Sequence, residues 1–282
     1  IYTQNMRHHV RGFTLLELIV VIAIIGVLSV VILPSFTSSL AKSKAAKVIV
    51  FSTSLDKMYD SMIGRWDIDE TSGTTVKDLS GNNNNGTISG SISFSTDTYS
   101  SSSGSSLSFN ASDGSVRVDI PGAAYNFIGT QPFSVSMWVK PSSTTQIAYG
   151  RFISTEAPGP TGGGFVISRN DIDNRVLVGL WNVRSFQGTL SNTVLADGVW
   201  QHLVVVWNGS VVKIYHNGSL DKTGSPMSGP TNNGNMPLSF GSGNGTVIGL
   251  MDNIKIYNAA LLSGDVQRLY AQGLSSGRFA NK

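Results

Sequence analysis

One acidic residue interrupts an otherwise apolar stretch near the start of the chain. Between Phe13 and Phe36, Glu17 is the only charged residue. An ionised carboxylate near the middle of a bilayer costs roughly 2.5–3.5 kcal/mol on insertion scales. A segment that served only as an anchor would have no reason to place a carboxylate there. Glu17 therefore predicts a function beyond anchoring, and the chemistry open to it is pairing with a cation in a low-dielectric environment.

A second group of acidic residues, Asp67, Asp69 and Glu70, opens the long polar region of the chain. Glycoside hydrolysis requires two carboxylates on one face, roughly 5–9 Å apart. Asp67 and Asp69 would share a face if residues 66–70 formed a strand. Residues 71–73, Thr-Ser-Gly, are typical of a turn. This group therefore favours a structural function over catalysis.

The composition narrows the class of protein. The chain has 282 residues, with 20 Lys and Arg against 17 Asp and Glu, and charged residues make up only 13% of it. The 31 Gly residues, together with many Ser, Thr and Asn, are typical of a turn-rich β protein. The absence of Cys excludes disulfides, thiolate nucleophiles and Cys-based metal sites. A formal net charge of +3, evenly spread, does not favour a nucleic-acid partner.

The apolar stretch is long enough to act as a membrane segment. At about 1.5 Å per residue, a helix over residues 13–36 would span a hydrocarbon core of roughly 30 Å. A secretory signal peptide would have a shorter apolar region followed by a small-residue cleavage site. Here the run continues through Pro34 into a helix-like segment. The simple anchor, the other alternative, leaves Glu17 unexplained.

The N-terminal segment resembles the prepilin N-terminus of type IV pilins and of the pseudopilins of type II secretion. The matching features are a basic leader at residues 7–11, Gly12, Phe13, Thr14, Glu17 and Pro34. The resemblance implies that a prepilin peptidase cuts after Gly12 and that the new amino group of Phe13 is methylated. It also implies that Glu17 of one subunit pairs with the Phe13 amine of a neighbour in a filament. Two charges that are costly alone in lipid become tolerable together.

Residues 37–63 continue the helical pattern with a different character. Apolar residues recur at three- and four-residue steps, with Lys and Asp on the other faces, which predicts an amphipathic helix. Gly26 and Pro34 are candidate kink points. We expect residues 13–36 to lie in the membrane or the filament core, and the second half of the helix to pack on the protein's own sheet. We also expect Met6 to be the initiator.

From Gly64 onward the periodicity changes from helical to alternating. The strand-like segments are residues 133–139, 175–181, 200–207, 211–216 and 249–257. Asn208 and Gly209 predict a hairpin turn, and residues 263–272 predict a short helix. Many short strands at this spacing indicate a β-sandwich or jelly roll. The predicted fold class is therefore α+β, a long N-terminal helix followed by an antiparallel β-sandwich.

The order of these segments resembles the laminin G-like, concanavalin A-like jelly-roll family. Five stretches carry the resemblance, at residues 64–90, 106–120, 132–141, 200–220 and 248–261. Residues 142–198 follow the family pattern only loosely. The predicted domains are a cleaved leader (1–12), a pilin helix (13–63), a laminin G-like sandwich (64–275) and a tail (276–282).

The family resemblance implies a structural calcium ion at the edge of the sandwich. Calcium takes six to eight oxygens from carboxylates, amides and backbone carbonyls. The residues at the matching positions are Asp78, Asn83, Asn85 and Asp252, with Asp67 and Asp69 as additional candidates. The ion would pin a Gly- and Asn-rich loop that has little apolar burial of its own. The alternative is that Asp78 and the Asn run simply cap a turn.

A carbohydrate site would combine an aromatic platform with polar neighbours. The candidates in the loosely matched region are Tyr149, Arg151, Trp181 and Asn182, with Arg169 and Arg184 nearby. The alternative for Trp181 is a core residue at the end of a strand. His202 and His216 fall in strand patterns without a nucleophile motif, and we interpret them as surface or edge residues.

We therefore expect a structural subunit of a type IV pilus or pseudopilus that is not an enzyme. Its sandwich would be displayed on the filament for adhesion to a glycan or a surface protein. The alternative is a secretion pseudopilin that contacts secreted cargo, and a membrane-tethered glycosidase is the third class. The expected partners are copies of itself, a prepilin peptidase, the assembly platform and, before assembly, the membrane. The chain would cross the bacterial cytoplasmic membrane once, with the C-terminal domain outside, and then join an extracellular filament at the cell surface.

Overall fold

The computed structural model describes most of the chain. The described segments are residues 13–90, 92–101, 103–110, 117–121, 123–142, 150–155, 162–170, 172–182, 185–241 and 248–276, without the side chains of 31–41, 51, 117 and 276. The predicted leader with Gly12, the ligand candidates Tyr149 and Arg184, and residues 277–282 of the predicted tail lie outside them.

The chain divides into two compact units, Ile1–Leu55 and Asp56–Lys282. Most of the helix α1, Leu15–Asp60, belongs to the first unit. The helix runs continuously through Gly26 and Pro34, the two predicted kink points. In the part of the chain that the structure describes, no helix carries a stretch apolar and long enough to cross a membrane.

Strands form most of the second unit. The first eight in chain order are β1 (Met62–Trp66), β2 (Thr75–Val76), β3 (Gly86–Ser89), β4 (Ser93–Ser95), β5 (Ser106–Phe109), β6 (Arg117–Ile120), β7 (Phe133–Pro141) and β8 (Gly150–Ser154). The next eight are β9 (Gly164–Arg169), β10 (Arg175–Asn182), β11 (Ser185–Val194), β12 (Gln201–Trp207), β13 (Val212–His216), β14 (Ser219–Thr223), β15 (Leu238–Phe240) and β16 (Gly249–Tyr257). A second helix, α2 (Ser263–Ser276), closes the described chain.

The strands form two eight-stranded antiparallel sheets. In the first sheet the order is β14–β13–β12–β7–β16–β5–β4, and β1 also pairs with β16. One edge of β16 changes partner along its length, because β5 pairs with its start, as in Met251↔Leu107. β1 pairs with its end, as in Ile254↔Trp66. The switch falls at Asp252 and Asn253, and Asn253 adopts the left-handed φ of 47°.

In the second sheet the order is β11–β10–β9–β8–β15–β6–β3–β2. Aromatic side chains from both sheets meet in the core between them. Trp66 of the first sheet contacts Phe240 of the second edge-on at 5.1 Å, and Phe133 lies 4.7 Å from Phe165. Among the described residues, the buried hydrophobic side chains all fall between Met58 and Leu269, so the second unit contains its own core.

The outer face of the first sheet is covered as well. Tyr270 of α2 stacks on Trp138 at 5.8 Å and on His202 at 5.9 Å, and both of these residues are buried. The interpretation of His202 as a surface or edge residue is therefore wrong. His216 is half-buried and lies 3.0 Å from Oε1 of Gln201 through its Nε2.

The predicted fold class is confirmed, because a long helix precedes an antiparallel sandwich. Each strand-like segment named from the sequence is a strand, and the predicted hairpin joins β12 to β13. In that turn, Oδ1 of Asn208 accepts hydrogen bonds from the N–H groups of Ser210 (3.0 Å) and Val211 (2.9 Å). The loosely matched residues 142–198 contain β8, β9, β10 and β11, four neighbouring strands of the second sheet.

Candidate functional site

Thr14 and Glu17 build the start of α1 by a reciprocal pair of caps. The backbone N–H and the hydroxyl of Thr14 donate to Oε2 of Glu17, at 2.8 and 2.9 Å. The N–H of Glu17 donates to Oγ1 of Thr14 at 3.3 Å. This capping box satisfies backbone donors that a helix N-terminus leaves without partners. It also holds the Glu17 carboxylate one residue away from Phe13, which is 85% exposed.

Asp78 organises the loop between β2 and β3. Its Oδ1 accepts from the backbone N–H groups of Arg65 (3.0 Å) and Ser80 (2.8 Å). Its Oδ2 accepts from the Ser80 hydroxyl and from the N–H of Asn84, both at 2.9 Å. An ionised carboxylate offers about four acceptor positions, so these four bonds use the acceptor capacity of Asp78. They are the bonds expected of a turn cap, the alternative to a calcium ligand.

The neighbouring Asn residues support the same loop. Oδ1 of Asn85 accepts the N–H of Asp78 at 2.9 Å, and Asn83 adopts a left-handed φ of 57°. Asn tolerates that conformation better than most residues do. The described hydrogen bonds of this loop have no residue in common with those of Asp252, the fourth predicted calcium ligand.

Asp252 lies instead where β16 changes partners. Its Oδ2 accepts the hydroxyl of Ser103 at 2.7 Å, and its Oδ1 accepts the N–H of Asn253 at 2.7 Å. Desolvation raises the pKa of Asp252 to about 8, the two hydrogen bonds oppose that rise, and the charges of Asp69 and Asp67 add to it. Asp67 and Asp69, the two additional candidates, are therefore close enough to Asp252 for their charges to influence its pKa.

No group of three or more His, Asp or Glu residues with the geometry to hold a metal ion occurs in the described segments. The calcium site stays a prediction.

The carboxylates named for a glycosidase serve as acceptors for the protein's own donors. Asp67 pairs with the guanidinium of Arg65. Asp69 accepts the N–H of Gly104 at 2.9 Å, and Glu70 accepts the N–H of Lys77 at 2.9 Å. These bonds connect the segment after β1 to other parts of the sandwich, which is a structural function.

A cavity of about 550 Å³ opens on the second sheet, over the part formed by β8 to β11. Its described lining consists of Arg151, Val166, Ser168, Asn170, Leu177, Trp181 and Phe186. Cross-strand register explains why these residues share a face. Arg151 pairs with Ser168, Ser168 pairs with Leu177, and Trp181 pairs with Phe186. Because side chains alternate along a strand, the intervening residues, such as Phe165 and Ile167, point into the core.

Two aromatic rings form one end of the cavity. The rings of Trp181 and Phe186 lie 5.0 Å apart with their planes tilted by 60°, and Phe186 is 42% exposed. A Cβ at Gly179 would collide with the ring of Phe186, and one at Gly188 would also crowd it. The ring can therefore lie across the strands only because these two positions carry no side chain. Nε1 of Trp181 is buried and has no hydrogen-bond partner among the described atoms.

The structure brings two of the predicted ligand residues together, because Arg151 and Trp181 line the same cavity. Asn182 is not part of its described lining and pairs with Ser185 at the end of the β10–β11 hairpin. Arg169 points into the protein, where it forms an ion pair with Asp197 at 2.6 Å.

Phe186, Ser168 and Asn170 are lining residues that were not predicted from the sequence. The alternation of Phe186, Gly188 and Leu190 was a signal for the strand that contributes Phe186.

The sandwich and the N-terminus each match a protein-family model. Residues 110–267, more than half of the chain, match the concanavalin A-like lectin/glucanases superfamily. The chain belongs to that superfamily. Residues 7–33 match the prokaryotic N-terminal methylation motif, which implies processing by a prepilin peptidase and assembly into a filament. Both predicted resemblances are confirmed. A comparison of this superfamily member with curated proteins found no significant match.

Solved structures share the fold of this superfamily member at low identity. Domain 4 of AbnA, a GH43 extracellular arabinanase from Geobacillus stearothermophilus solved with arabinotriose, has a TM-score of 0.60 and 21% identity, over 74% of this chain and 98% of its own. The binding domain of Paraclostridial Mosquitocidal Protein 1 has a TM-score of 0.62 and 18% identity, over 76% and 52%. The botulinum neurotoxin serotype D ligand binding domain, solved with N-acetylneuraminic acid, has a TM-score of 0.60 and 15% identity, over 78% and 52%.

The N-terminal motif and the fold allow a coarse statement of function. The methylation motif indicates a membrane-anchored prepilin that later belongs to a surface filament. The lectin-like sandwich suggests carbohydrate binding.

Proposed function

We propose that this chain is a type IV pilin-like filament subunit whose sandwich binds a saccharide and so gives the filament an adhesive surface. The observation that carries the binding half is the cavity on the second sheet, with Trp181 and Phe186 at one end and Arg151 in its lining. Ligand pockets typically combine aromatic walls with a few polar groups that set orientation. Two of the similar structures hold saccharides, which supports the same class of ligand here.

The assembly half of the proposal uses Phe13 and Glu17. Cleavage after Gly12 leaves an α-ammonium on Phe13, and in the filament this cation pairs with the Glu17 carboxylate of a neighbouring copy. Pairing reduces the cost of holding either charge in a low-dielectric environment. The capping box supports this arrangement, because both of its bonds to the carboxylate end on Oε2 of Glu17. We assign the other oxygen, Oε1, to the Phe13 amine of the neighbouring copy.

The binding half is tested with the full chain in a detergent that has no sugar headgroup, because a glycosidic detergent would compete for the cavity. A glycan array identifies the bound saccharides, and titration calorimetry measures their affinity. Trp181→Ala and Phe186→Ala should each weaken binding about tenfold or more, since an aromatic contact contributes on the order of 1–3 kcal/mol.

The matched control for Phe186→Ala is Leu220→Ala. Leu220 is 53% exposed, close to the exposure of Phe186, and lies on β14 of the other sheet. Its loss should leave affinity unchanged. Equal affinity of the wild type and both aromatic variants, or no saccharide bound by the wild type, would reject the binding half.

The assembly half is tested in cells. Filaments sheared from the surface and collected by sedimentation should contain the chain with Phe13 as its first residue. If the chain is instead found only in the membrane fraction, and only with residues 1–12 attached, the assembly half fails. Secreted cargo that pellets with such filaments would favour a secretion pseudopilin over an adhesive pilus.

A further inference from the structure

We infer that α1 binds neighbouring copies of this chain through two pairs of opposite charges in its second half. The basic pair is Lys44 and Lys47, and the acidic pair is Asp56 and Asp60. In the filament, the basic pair of one copy contacts the acidic pair of the next. This inference rests on the proposed filament function and names polar contacts through which the copies bind.

Each pair presents its two charges on one side of the helix. The members of the basic pair are three positions apart and those of the acidic pair are four apart, and residues at these spacings are neighbours on a helix surface. All four side chains are exposed. Met58 lies between the two aspartates in the sequence and is only 4% exposed. Because residues two positions apart do not face each other, the acidic pair projects away from the side on which Met58 is buried.

Neither pair has a partner within the described part of the chain. The ion pairs formed there connect charges of the sandwich and of α2, and none of them includes a charge of α1. Nine positions separate Lys47 from Asp56, which exceeds the spacing at which ion pairs form along one helix. Lys57 lies in the same turn as the acidic pair, and it too takes part in none of these ion pairs. Both pairs are therefore available to another molecule.

The helix surface next to the basic pair needs a cover. Val48, Ile49 and Val50 are 65%, 64% and 69% exposed, and three consecutive residues point to different sides of a helix. Burying apolar surface of this kind against a partner is favourable. A partner that covers it also removes water from the adjacent lysines, which costs free energy unless each charge meets an opposite charge.

A second copy of this chain is the partner whose α1 carries the complementary charges. The acidic residues of α1 are Glu17, Asp56 and Asp60, and Glu17 is assigned to the Phe13 amine. The acidic pair is therefore the anionic group that the α1 of a neighbour offers to the basic pair. Since the two pairs occupy different positions along α1, parallel copies bring them together only when one copy is displaced along the helix direction. A contact between two different surfaces of the same chain can repeat without closing, which produces an open filament.

Charge reversal in cells tests the inference on the full chain. One variant combines Lys44→Glu with Lys47→Glu, and the other combines Asp56→Lys with Asp60→Lys. Each should lower the yield of sheared filaments about tenfold or more, because like charges that face each other across an interface are strongly unfavourable. The membrane level and the cleavage after Gly12 should stay normal. The variant with all four changes exchanges the two signs and should restore most of the yield.

Two controls separate the pairing from other effects of the substitutions. Lys77→Glu reverses an exposed charge just after β2 of the sandwich, and it should leave the filament yield unchanged. The thermal midpoint of every variant should match that of the wild type, because the substituted side chains are all exposed. A variant that assembles poorly with a normal midpoint has therefore lost a contact between copies and not its fold.

Carbodiimide coupling gives a second readout with the wild-type chain. This reagent joins a lysine amine directly to a carboxylate that contacts it, with loss of water and without a spacer. Sheared filaments should yield peptides in which a member of the basic pair is joined to a member of the acidic pair. Chains kept as monomers in detergent should yield none.

The outcomes distinguish this inference from the function beneath it. Wild-type yields from both double reversals overturn the inference and leave the proposed filament function standing. A yield that stays low in the variant with all four changes, or filaments without the coupled peptides, also overturns it. A wild-type chain that is found only in the membrane fraction with residues 1–12 attached overturns the assembly half of the proposed function as well.

Discussion

The ring of Phe186 lies over Gly179 of the neighbouring strand, in the space that a side chain at residue 179 would occupy. The same ring crowds the position of a Cβ at Gly188, the cross-strand partner of Gly179. Glycine inside a strand weakens it, because it has more backbone freedom to lose and no side chain to pack. Here the two glycines leave the space that the half-exposed ring of Phe186 occupies at one end of the candidate binding cavity.

Gly179→Ala should therefore displace the Phe186 ring. The new methyl group would meet that ring and a methyl of Val166, so we expect a stability loss of about 1–3 kcal/mol from overpacking. Saccharide affinity should fall because the platform is tilted. Thermal unfolding and calorimetry measure the two effects. Gly264→Ala is the matched control, because a Cβ there meets nothing within 4 Å, and unchanged affinity in Gly179→Ala would show that the platform does not bind sugar.

Glu17→Gln should separate the capping function of Glu17 from its charge. Gln at this position can still accept from Thr14, so α1 should begin as in the wild type, whereas the amine of a neighbouring Phe13 loses its anionic partner. We expect the yield of sheared filaments to drop while the membrane level and the N-terminal cleavage stay normal. Thr14→Ala is the comparison, since it removes a cap that contributes about 1 kcal/mol and keeps the charge. A full filament yield from Glu17→Gln would contradict the pairing.

Three buried groups predict how stability varies with pH. Desolvation raises the pKa of Asp252 to about 8, so the native state keeps a proton that the unfolded chain loses near 3.8, and the free energy of unfolding falls as pH rises between these values. Desolvation lowers the pKa of His202 to about 3, so between 3 and 6.5 the unfolded chain binds more protons and stability rises with pH. Desolvation also lowers the pKa of Lys255 to about 8, which makes stability rise with pH only above that value.

Of these three groups, Asp252 is therefore the one that makes the free energy of unfolding depend on pH between about 6.5 and 8. In the presence of a chelator the free energy of unfolding should fall across this interval, with a limiting slope of about 1.4 kcal/mol per pH unit, and the thermal midpoint should fall with it. Asp252→Asn should remove the fall, because the amide keeps the shape and cannot ionise. The five tryptophans of the chain all lie between residues 66 and 207, so their fluorescence reports the sandwich alone. The same fall in Asp252→Asn would assign it to another group.

Calcium should raise the thermal midpoint of the chain and reverse that fall, because a cation beside Asp252 favours its ionised form. A ligand at 100 times its dissociation constant stabilises the native state by about 2.7 kcal/mol. Asp252→Asn should abolish the shift, and we expect Asp78→Asn to lower stability without abolishing it, since Asp78 is committed to its loop. Melting curves with chelator and with added calcium measure both. An identical wild-type midpoint in the two conditions would reject a calcium site.

Much of the fold follows from local patterns in the sequence. The segment predicted over 249–257 is the strand β16, and the helix predicted over 263–272 starts at Ser263 and continues beyond residue 272 to Ser276. Apolar residues alternate with Ser134 and Ser136 along β7, yet seven consecutive residues from Phe133 to Val139 are buried. The reason is tertiary, because α2 covers the outer face with Tyr270. A sequence pattern describes a strand's own residues and does not say which later element will cover them.

The candidate site was predictable by residue type and not by arrangement. Arg151 and Trp181 were predicted as a cation and an aromatic residue in the region that matches the family pattern only loosely, and they do line one cavity. Phe186 was missed because its importance comes from the register that sets it beside Trp181 and over Gly179. The change of partner along β16 places Asp252 where the charges of Asp67 and Asp69 act on it, and the pattern of β16 alone does not show this. Such long-range pairings depend on how the sheets assemble.

A single residue, Ser61, separates the end of α1 at Asp60 from the start of β1 at Met62. β1 pairs with the second half of β16, which lies between other strands of the first sheet and not at its rim. A pulling force applied to the chain on the N-terminal side of β1 therefore acts directly on the backbone hydrogen bonds between β1 and β16. The one-residue connection between α1 and β1 is too short to extend under such a force. In the proposed adhesive filament, the sandwich would pass that traction on to the saccharide that it holds.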